Sequence, residues 1–141
     1  TAGALAAEMG RVLDAPAGFA EPLVRVGAAY GLAGTLRSLP VLLVAGREAL
    51  PREILSKGSS PSEAADQLRS LAASGLEALE PARHALRGLP RRAVAAALPA
   101  VLARRDLARL SSPGWRWDTP PGPRGLGDRM AVTWAGLRSR V

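Results

Sequence analysis

Few residues in this 141-residue chain have side chains that could act in catalysis or bind a metal. His84 is the only histidine, so one chain cannot assemble a cluster of histidine ligands, and its arginine neighbours indicate a solvated helix face. The absence of cysteine excludes a disulfide framework, a thiolate zinc site and a cysteine nucleophile. The aspartates are scattered over predicted loops and separate helices, which predicts helix caps and surface charges. They are Asp14, Asp66, Asp106, Asp118 and Asp128.

Positive charge is the strongest chemical bias of the sequence. The net charge is +7, and Lys57 is the only lysine, so nearly all of the excess is arginine. Arginine binds phosphate through a planar fork, so an anionic partner is one explanation: a diphosphate, an acidic membrane surface or RNA. A GC-rich coding sequence is the other explanation. The basic pairs Arg91-Arg92 and Arg104-Arg105 predict either a solvent-facing helix or a contact with phosphate or an acidic subunit.

Composition predicts an all-α fold. Hydrophobic residues make up 48% of the chain but aromatic residues only 4%, so the core must be built from Ala, Leu and Val. Ala and Leu favour helices, whereas the aromatic residues that favour strands are scarce. No run of about 18 uncharged apolar residues occurs, so we expect no transmembrane segment. The length predicts a single domain over residues 1–141.

The helices that position the polar residues follow from apolar periodicity and from proline, glycine and serine punctuation. Pro40, Pro81 and Pro99 fall inside helical patterns, where we expect them to bend the helix without ending it. A loop rich in proline and glycine, carrying Trp115 and Trp117, should span 111–127. The predicted helices span residues 2–13, 21–45, 51–55, 61–87, 91–110 and 128–138.

Four local patterns follow one another in a fixed order. A segment rich in small residues runs from Gly27 to Ser38, and the turn Gly46-Arg47-Glu48-Ala49-Leu50-Pro51 comes after it. Farther along are Leu107-Ala108-Arg109-Leu110 and then Pro113-Gly114-Trp115. In order and spacing they resemble the C-terminal half of the squalene/phytoene synthase family. The resemblance implies a partial isoprenoid-synthase-like helical bundle with Pro-kinked helices.

The departures from that family concern its metal ligands. In active members, the helix that resembles the small-residue segment carries carboxylates at helical spacing, which hold Mg²⁺ against the diphosphate of the substrate. The matching positions here are Gly34, Ser38 and Leu42. No Asp or Glu occurs between Pro22 and Gly46, so shifting the alignment restores no ligand. We therefore lean against an enzyme and expect no cofactor, with Mg²⁺ required only if the chain is catalytic.

Two arginines remain where the resemblance places anion contacts. Arg37 is the one residue of the metal-binding motif that is retained, and Arg47 follows Gly46 in the turn. Both are candidate ligands for a diphosphate or another anion. The first aspartate-rich motif of the family would lie before Thr1.

The function implied by the resemblance is a non-catalytic assembly or structural subunit working inside a larger protein complex. Aspartate-depleted members such as the mitochondrial complex I assembly factor of this superfamily are similar. Two alternatives stay open: the C-terminal part of an active prenyl transferase that condenses two prenyl diphosphates, and an RNA-contacting subunit of a ribonucleoprotein. The mitochondrial matrix or the bacterial cytoplasm would suit these functions, including a position peripheral to a membrane.

A partner face is predicted on the long second helix. Leu32, Leu36, Leu39 and Leu43 follow the three-to-four spacing of one helical stripe. We expect this stripe to bind other protein subunits, with Trp115 and Trp117 as further contacts. An anionic membrane surface or RNA stays open as an additional partner.

Overall fold

The computed structural model describes residues 1–47 and 60–141, and all regular structure in these residues is helical. The predicted all-α fold class is thereby confirmed. The helix predicted at 51–55 lies outside the described residues. The α-helices of the described part are α1 (Ala2–Val12), α2 (Ala20–Val44), α3 (Pro61–Ala85), α4 (Val94–Ala97), α5 (Pro99–Leu110) and α6 (Leu126–Arg138).

Helix α2 is the centre of the bundle and packs against α1, α3 and α5. A helix surrounded on several sides must be apolar around most of its circumference, as α2 is. The core has large leucine side chains from three helices and many alanines between them. Its fully buried leucines are Leu23, Leu36, Leu39, Leu68, Leu79 and Leu107.

Small residues let α1 and α2 approach very closely. A Cβ atom added to Gly27 would lie 2.4 Å from the carbonyl oxygen of Ala2, and one added to Gly3 would lie 2.8 Å from that of Val24. Helix α1 therefore buries its small residues, and its stripe of larger apolar side chains points to solvent. We call that stripe, Leu5, Met9 and Val12, the α1 outer face.

The predicted end of the second helix near residue 45 and the predicted helix start at residue 61 are confirmed, and both have local capping contacts. The hydroxyl of Ser60 accepts from the backbone N–H of Glu63, and the Glu63 carboxylate accepts from the N–H of Ser60, which forms a capping box. At the end of α2, Gly46 has φ +66°, and the N–H of Arg47 donates to the carbonyl of Leu42. This is the hydrogen bond of a glycine-terminated helix end.

The prolines behave in two ways. Pro40 and Pro81 lie inside α2 and α3, which continue through them. The single helix predicted for 91–110 is instead a 3-10 turn followed by α4 and α5, which meet at Leu98. Leu98 keeps helical dihedral angles, φ −54° and ψ −32°. The break is one residue long because Pro99 has no N–H to donate to the preceding turn.

Within the described residues, the stretch Ala17–Val44 is long and apolar enough to cross a bilayer by length and composition alone. Arg25 and Arg37 interrupt its apolar sequence. The same stretch contributes Leu23, Leu36 and Leu39 to the core, as the central helix of a bundle does.

Candidate functional site

The positions that the family resemblance matches to metal ligands lie along one side of α2. Gly34, Ser38 and Leu42 are spaced by four residues and so share a helix face, which we call the α2 open face. Ser38 is exposed and Leu42 is half-buried. Apart from its chain neighbours and the backbone of its own helix, no atom lies within 4 Å of a Cβ placed on Gly34, so this face has open space in front of it.

The α2 open face does not fit a magnesium ion. Mg²⁺ in proteins is held by carboxylate oxygens, usually one or two together with water and substrate phosphates. This face supplies one hydroxyl group, from Ser38, and no carboxylate. Elsewhere in residues 1–47 and 60–141, no three His, Asp or Glu side chains are grouped so that they could hold a metal.

Arg37, the retained residue of the motif, is bound by its own chain. Its Nη1 donates to Oδ1 of Asp106 at 3.2 Å, and its Nη2 donates to the carbonyl oxygen of Gly122, also at 3.2 Å. These contacts connect α2 to α5 and to the loop before α6. The guanidinium therefore stabilises the fold through two partners that are far away in sequence.

Asp106 is the centre of this network. It is 1% exposed, and Arg124 donates to its Oδ2 at 2.6 Å. Nη1 of Arg109 lies 3.5 Å from Oδ1. The guanidinium of Arg124 also lies over the ring of Tyr30, 5.8 Å from its centroid, which adds a cation–π contact to α2.

Asp128, at the start of α6, is the second buried carboxylate. It is 3% exposed and accepts from Nε of Arg105 at 2.6 Å and from both terminal nitrogens of Arg109, at 3.0 and 2.8 Å. The hydrogen bonds from Arg109, followed by those from Arg105, hold the pKa of Asp128 well below its usual range. The same contact with Asp128 raises the pKa of Arg109.

These six residues form one cluster with four positive and two negative side chains, which we call the arginine–aspartate cluster. Its members are Arg37, Arg105, Asp106, Arg109, Arg124 and Asp128. Beside it is an open groove of about 680 Å³ between α2, α5 and α6, bordered by Arg37 and Arg124. Arg37 and Arg124 already contact Asp106, and Arg129 is a third, exposed arginine on the lining of the groove.

The prediction that Asp106 and Asp128 are caps or surface charges was wrong. A signal for Asp106 was present in the sequence: Ala103, Leu107 and Leu110 form a buried stripe on α5, and Asp106 lies within it. A carboxylate in an apolar stripe needs a cationic partner. No comparable pattern marks Asp128, because it is the only buried residue of α6 and no apolar stripe surrounds it.

The second predicted anion ligand is not brought into the cluster. Arg47 is exposed just beyond the end of α2. It follows Arg37 by ten residues, most of them helical, which corresponds to about 15 Å along a helix axis. His84 is exposed on α3, as its arginine neighbours indicated.

The predicted partner stripe needs a correction. Leu36 and Leu39 are fully buried in the core of this chain, so they cannot contact another subunit while the bundle is intact. Leu32 is half-buried against α3, where a Cβ on Gly75 would lie 2.6 Å from one of its methyl groups. Only Leu43, 40% exposed, is accessible near the end of the stripe. The stripe is mostly internal because α3 and α5 cover it.

Trp115 and Trp117 are both half-buried and pack against the core. They therefore fix the loop 111–125 onto the bundle, and Arg37 and Arg124 hold the same loop through Gly122 and Asp106. A contact of these tryptophans with another subunit stays a prediction.

Residues 1–133 match the squalene/phytoene synthase family, whose members have the all-α isoprenoid synthase fold. No curated protein sequence and no solved structure gives a significant match. The matched residues include the α2 open face and the whole arginine–aspartate cluster. The chain therefore belongs to the squalene/phytoene synthase family.

Proposed function

We propose that this chain is a non-catalytic member of the family that works as an assembly or structural subunit of a larger protein complex. The observation that carries the proposal is the chemistry of the α2 open face. Gly34, Ser38 and Leu42 stand where active members hold Mg²⁺, and they offer one weak oxygen ligand. Without the cation, the charge that develops on a leaving diphosphate lacks its main stabilisation.

The state of Arg37 supports the same conclusion. An arginine that binds a substrate diphosphate must turn its donors toward the substrate. In this chain those donors point to Asp106 and to the carbonyl of Gly122. Releasing Arg37 for a ligand would leave Asp106 with one fewer cation in a buried position, which is costly.

The α1 outer face supports a protein partner. Leu5 and Val12 are 63% and 73% exposed, and Met9 lies between them on the same side. The neighbouring charges are of both signs, because Glu8 and Arg11 form an ion pair on the helix surface. An apolar stripe with mixed charges beside it is suited to another protein surface.

Metal affinity tests the catalytic part of the proposal. Calorimetric titration with Mg²⁺ should give no heat of specific binding for the unchanged chain. The variant Gly34→Asp/Ser38→Asp/Leu42→Asp, which places carboxylates at all three positions, should bind Mg²⁺ more tightly than the unchanged chain, because carboxylate oxygens are the ligands that Mg²⁺ prefers. Specific binding by the unchanged chain would contradict the proposal.

Particle mass tests the subunit part. The full chain, purified from its own cells under mild conditions, should elute in a complex well above its own 14.6 kDa. Leu5→Asp/Val12→Asp should release it as a folded monomer, because both side chains are exposed and their loss leaves the core intact. Monomer before the change, or an unchanged complex after it, would refute the subunit role.

A further inference from the structure

Helix α6 carries a second exposed apolar stripe, with a different chemical character. Leu126, Met130, Trp134 and Leu137 are between 56% and 76% exposed. Their spacing places them on one side of the helix, which we call the α6 outer face. A shallow apolar depression of about 480 Å³ runs along it.

Among the described residues of α6 and those directly after it, the exposed charges are all positive. Arg129 and Arg138 are exposed on the helix, and Arg140 follows its end. The guanidinium of Arg138 lies 4.2 Å from the centroid of the Trp134 ring. The only acidic residue of α6, Asp128, is buried and neutralised by Arg105 and Arg109.

The face is presented by a helix that is held in place. The arginine–aspartate cluster connects the first turn of α6 to α5 through Asp128. At the other end, the N–H of Arg140 donates to the carbonyl of Ala135, which closes the helix after Ser139. The apolar stripe is therefore formed before any partner arrives, so binding requires no folding of this segment.

We propose that the α6 outer face binds to an anionic phospholipid surface. Leucine, methionine and tryptophan enter the boundary between headgroups and acyl chains, and tryptophan prefers this depth. Arginines beside the stripe attract anionic headgroups. An acidic residue facing outward would oppose this, and the described residues of α6 have none exposed. The proposal goes beyond the subunit role and involves a different helix face.

Vesicle co-sedimentation of the full chain tests it. Vesicles of phosphatidylcholine with phosphatidylglycerol should bind the chain, and binding should weaken as salt is added. Vesicles of phosphatidylcholine alone should bind it much less. Removing Arg129 or Arg138 by substitution with glutamine should weaken binding by about fivefold for each arginine. Met130→Gln/Leu137→Gln should weaken it by about tenfold to a hundredfold.

Matched controls come from exposed residues elsewhere. Leu5→Gln/Val12→Gln removes a similar exposed apolar surface from α1, and Arg91→Gln removes an exposed charge before α4. Both variants should bind vesicles as the unchanged chain does. Lipid binding and the subunit role can be tested separately. Leu5→Gln/Val12→Gln should lower the particle mass of the complex, whereas Met130→Gln/Leu137→Gln should leave it unchanged.

Tryptophan fluorescence gives an independent readout. Trp134 is exposed, whereas Trp115 and Trp117 are half-buried against the core. Anionic vesicles should shift the emission to shorter wavelength, and Trp134→Phe should abolish that shift. Equal loss of vesicle binding in the α1 and α6 variants, or a change in particle mass confined to the α6 variant, would overturn the proposal. The second outcome would assign the α6 outer face to a protein partner.

Discussion

Replacing Asp106 by asparagine should remove the charge at the centre of the arginine–aspartate cluster while keeping the size of the side chain. Arg109 would still pair with Asp128, so Arg37 and Arg124 are the two arginines that lose an anionic partner. Arg37 is 18% exposed and has little access to water, whereas Arg124 at 31% can be partly solvated. Leaving a buried charge without its partner costs about 3–5 kcal/mol.

Because Arg124 can be partly hydrated, we expect Asp106→Asn to cost about 3 kcal/mol, the lower end of that range. With a urea dependence of about 2 kcal/mol per molar for a small domain, the unfolding midpoint should fall by about 1.5 M. Circular dichroism during urea unfolding at neutral pH measures this. Asp66→Asn is the control, because Asp66 is exposed and pairs with Arg69 on the surface of α3. Equal midpoints for the two variants would refute the structural role assigned to Asp106.

The remaining predictions concern two glycines of α2 and the pH dependence of stability. Gly34→Ala should stabilise the chain by about 0.5–1 kcal/mol, since alanine favours helices and the added methyl group meets no atom. Gly27→Ala should destabilise it by about 1–3 kcal/mol, because the methyl group would collide with the backbone of α1. Urea unfolding of the two variants measures whether the free energy of unfolding rises in the first and falls in the second. Folding lowers the pKa of Asp128. Its contribution to the free energy of unfolding is therefore complete above the unfolded pKa of about 3.9 and is lost as the pH falls toward the folded pKa. The free energy of unfolding should therefore drop as the pH is lowered from about 5 to 2. This dependence on pH should be shallower in Asp128→Asn. Identical dependence in the two proteins would contradict the buried pairing of Asp128.

Much of the helical architecture could be predicted from local signals. Proline, glycine and serine act within a turn or two of the chain, so the capping box at Ser60 and the helix end at Gly46 were readable without tertiary information. The family resemblance also rests on ordered local patterns, and the family match over residues 1–133 confirms it.

The orientation of helix faces could not be predicted in the same way. Periodicity identifies residues that share a face but does not say which face packs inward. On α1 the leucine and methionine stripe points outward, because Gly3 and Gly27 allow a backbone approach that larger residues would prevent. On α2 the stripe with Leu36 and Leu39 was assigned to a partner and is covered by this chain's own helices.

The candidate site itself depends on long-range contacts. Arg37 and Asp106 are 69 residues apart in sequence and meet only when α2 packs on α5. Asp128 receives its partners from α5 after the loop 111–125 returns to the bundle. Local sequence could show that Arg37 was retained and that carboxylates were missing around it. It could not show that Arg37 had acquired a buried partner.

Diphosphate release is the measurement that tests the central claim most directly. The purified chain would be incubated with farnesyl or geranylgeranyl diphosphate and Mg²⁺, and released inorganic diphosphate would be quantified against the same mixture containing a chelator. Because Gly34, Ser38 and Leu42 lie at the positions that the resemblance matches to metal ligands, we expect no release above the chelated background. Release that depends on Mg²⁺ and scales with protein concentration would contradict the account.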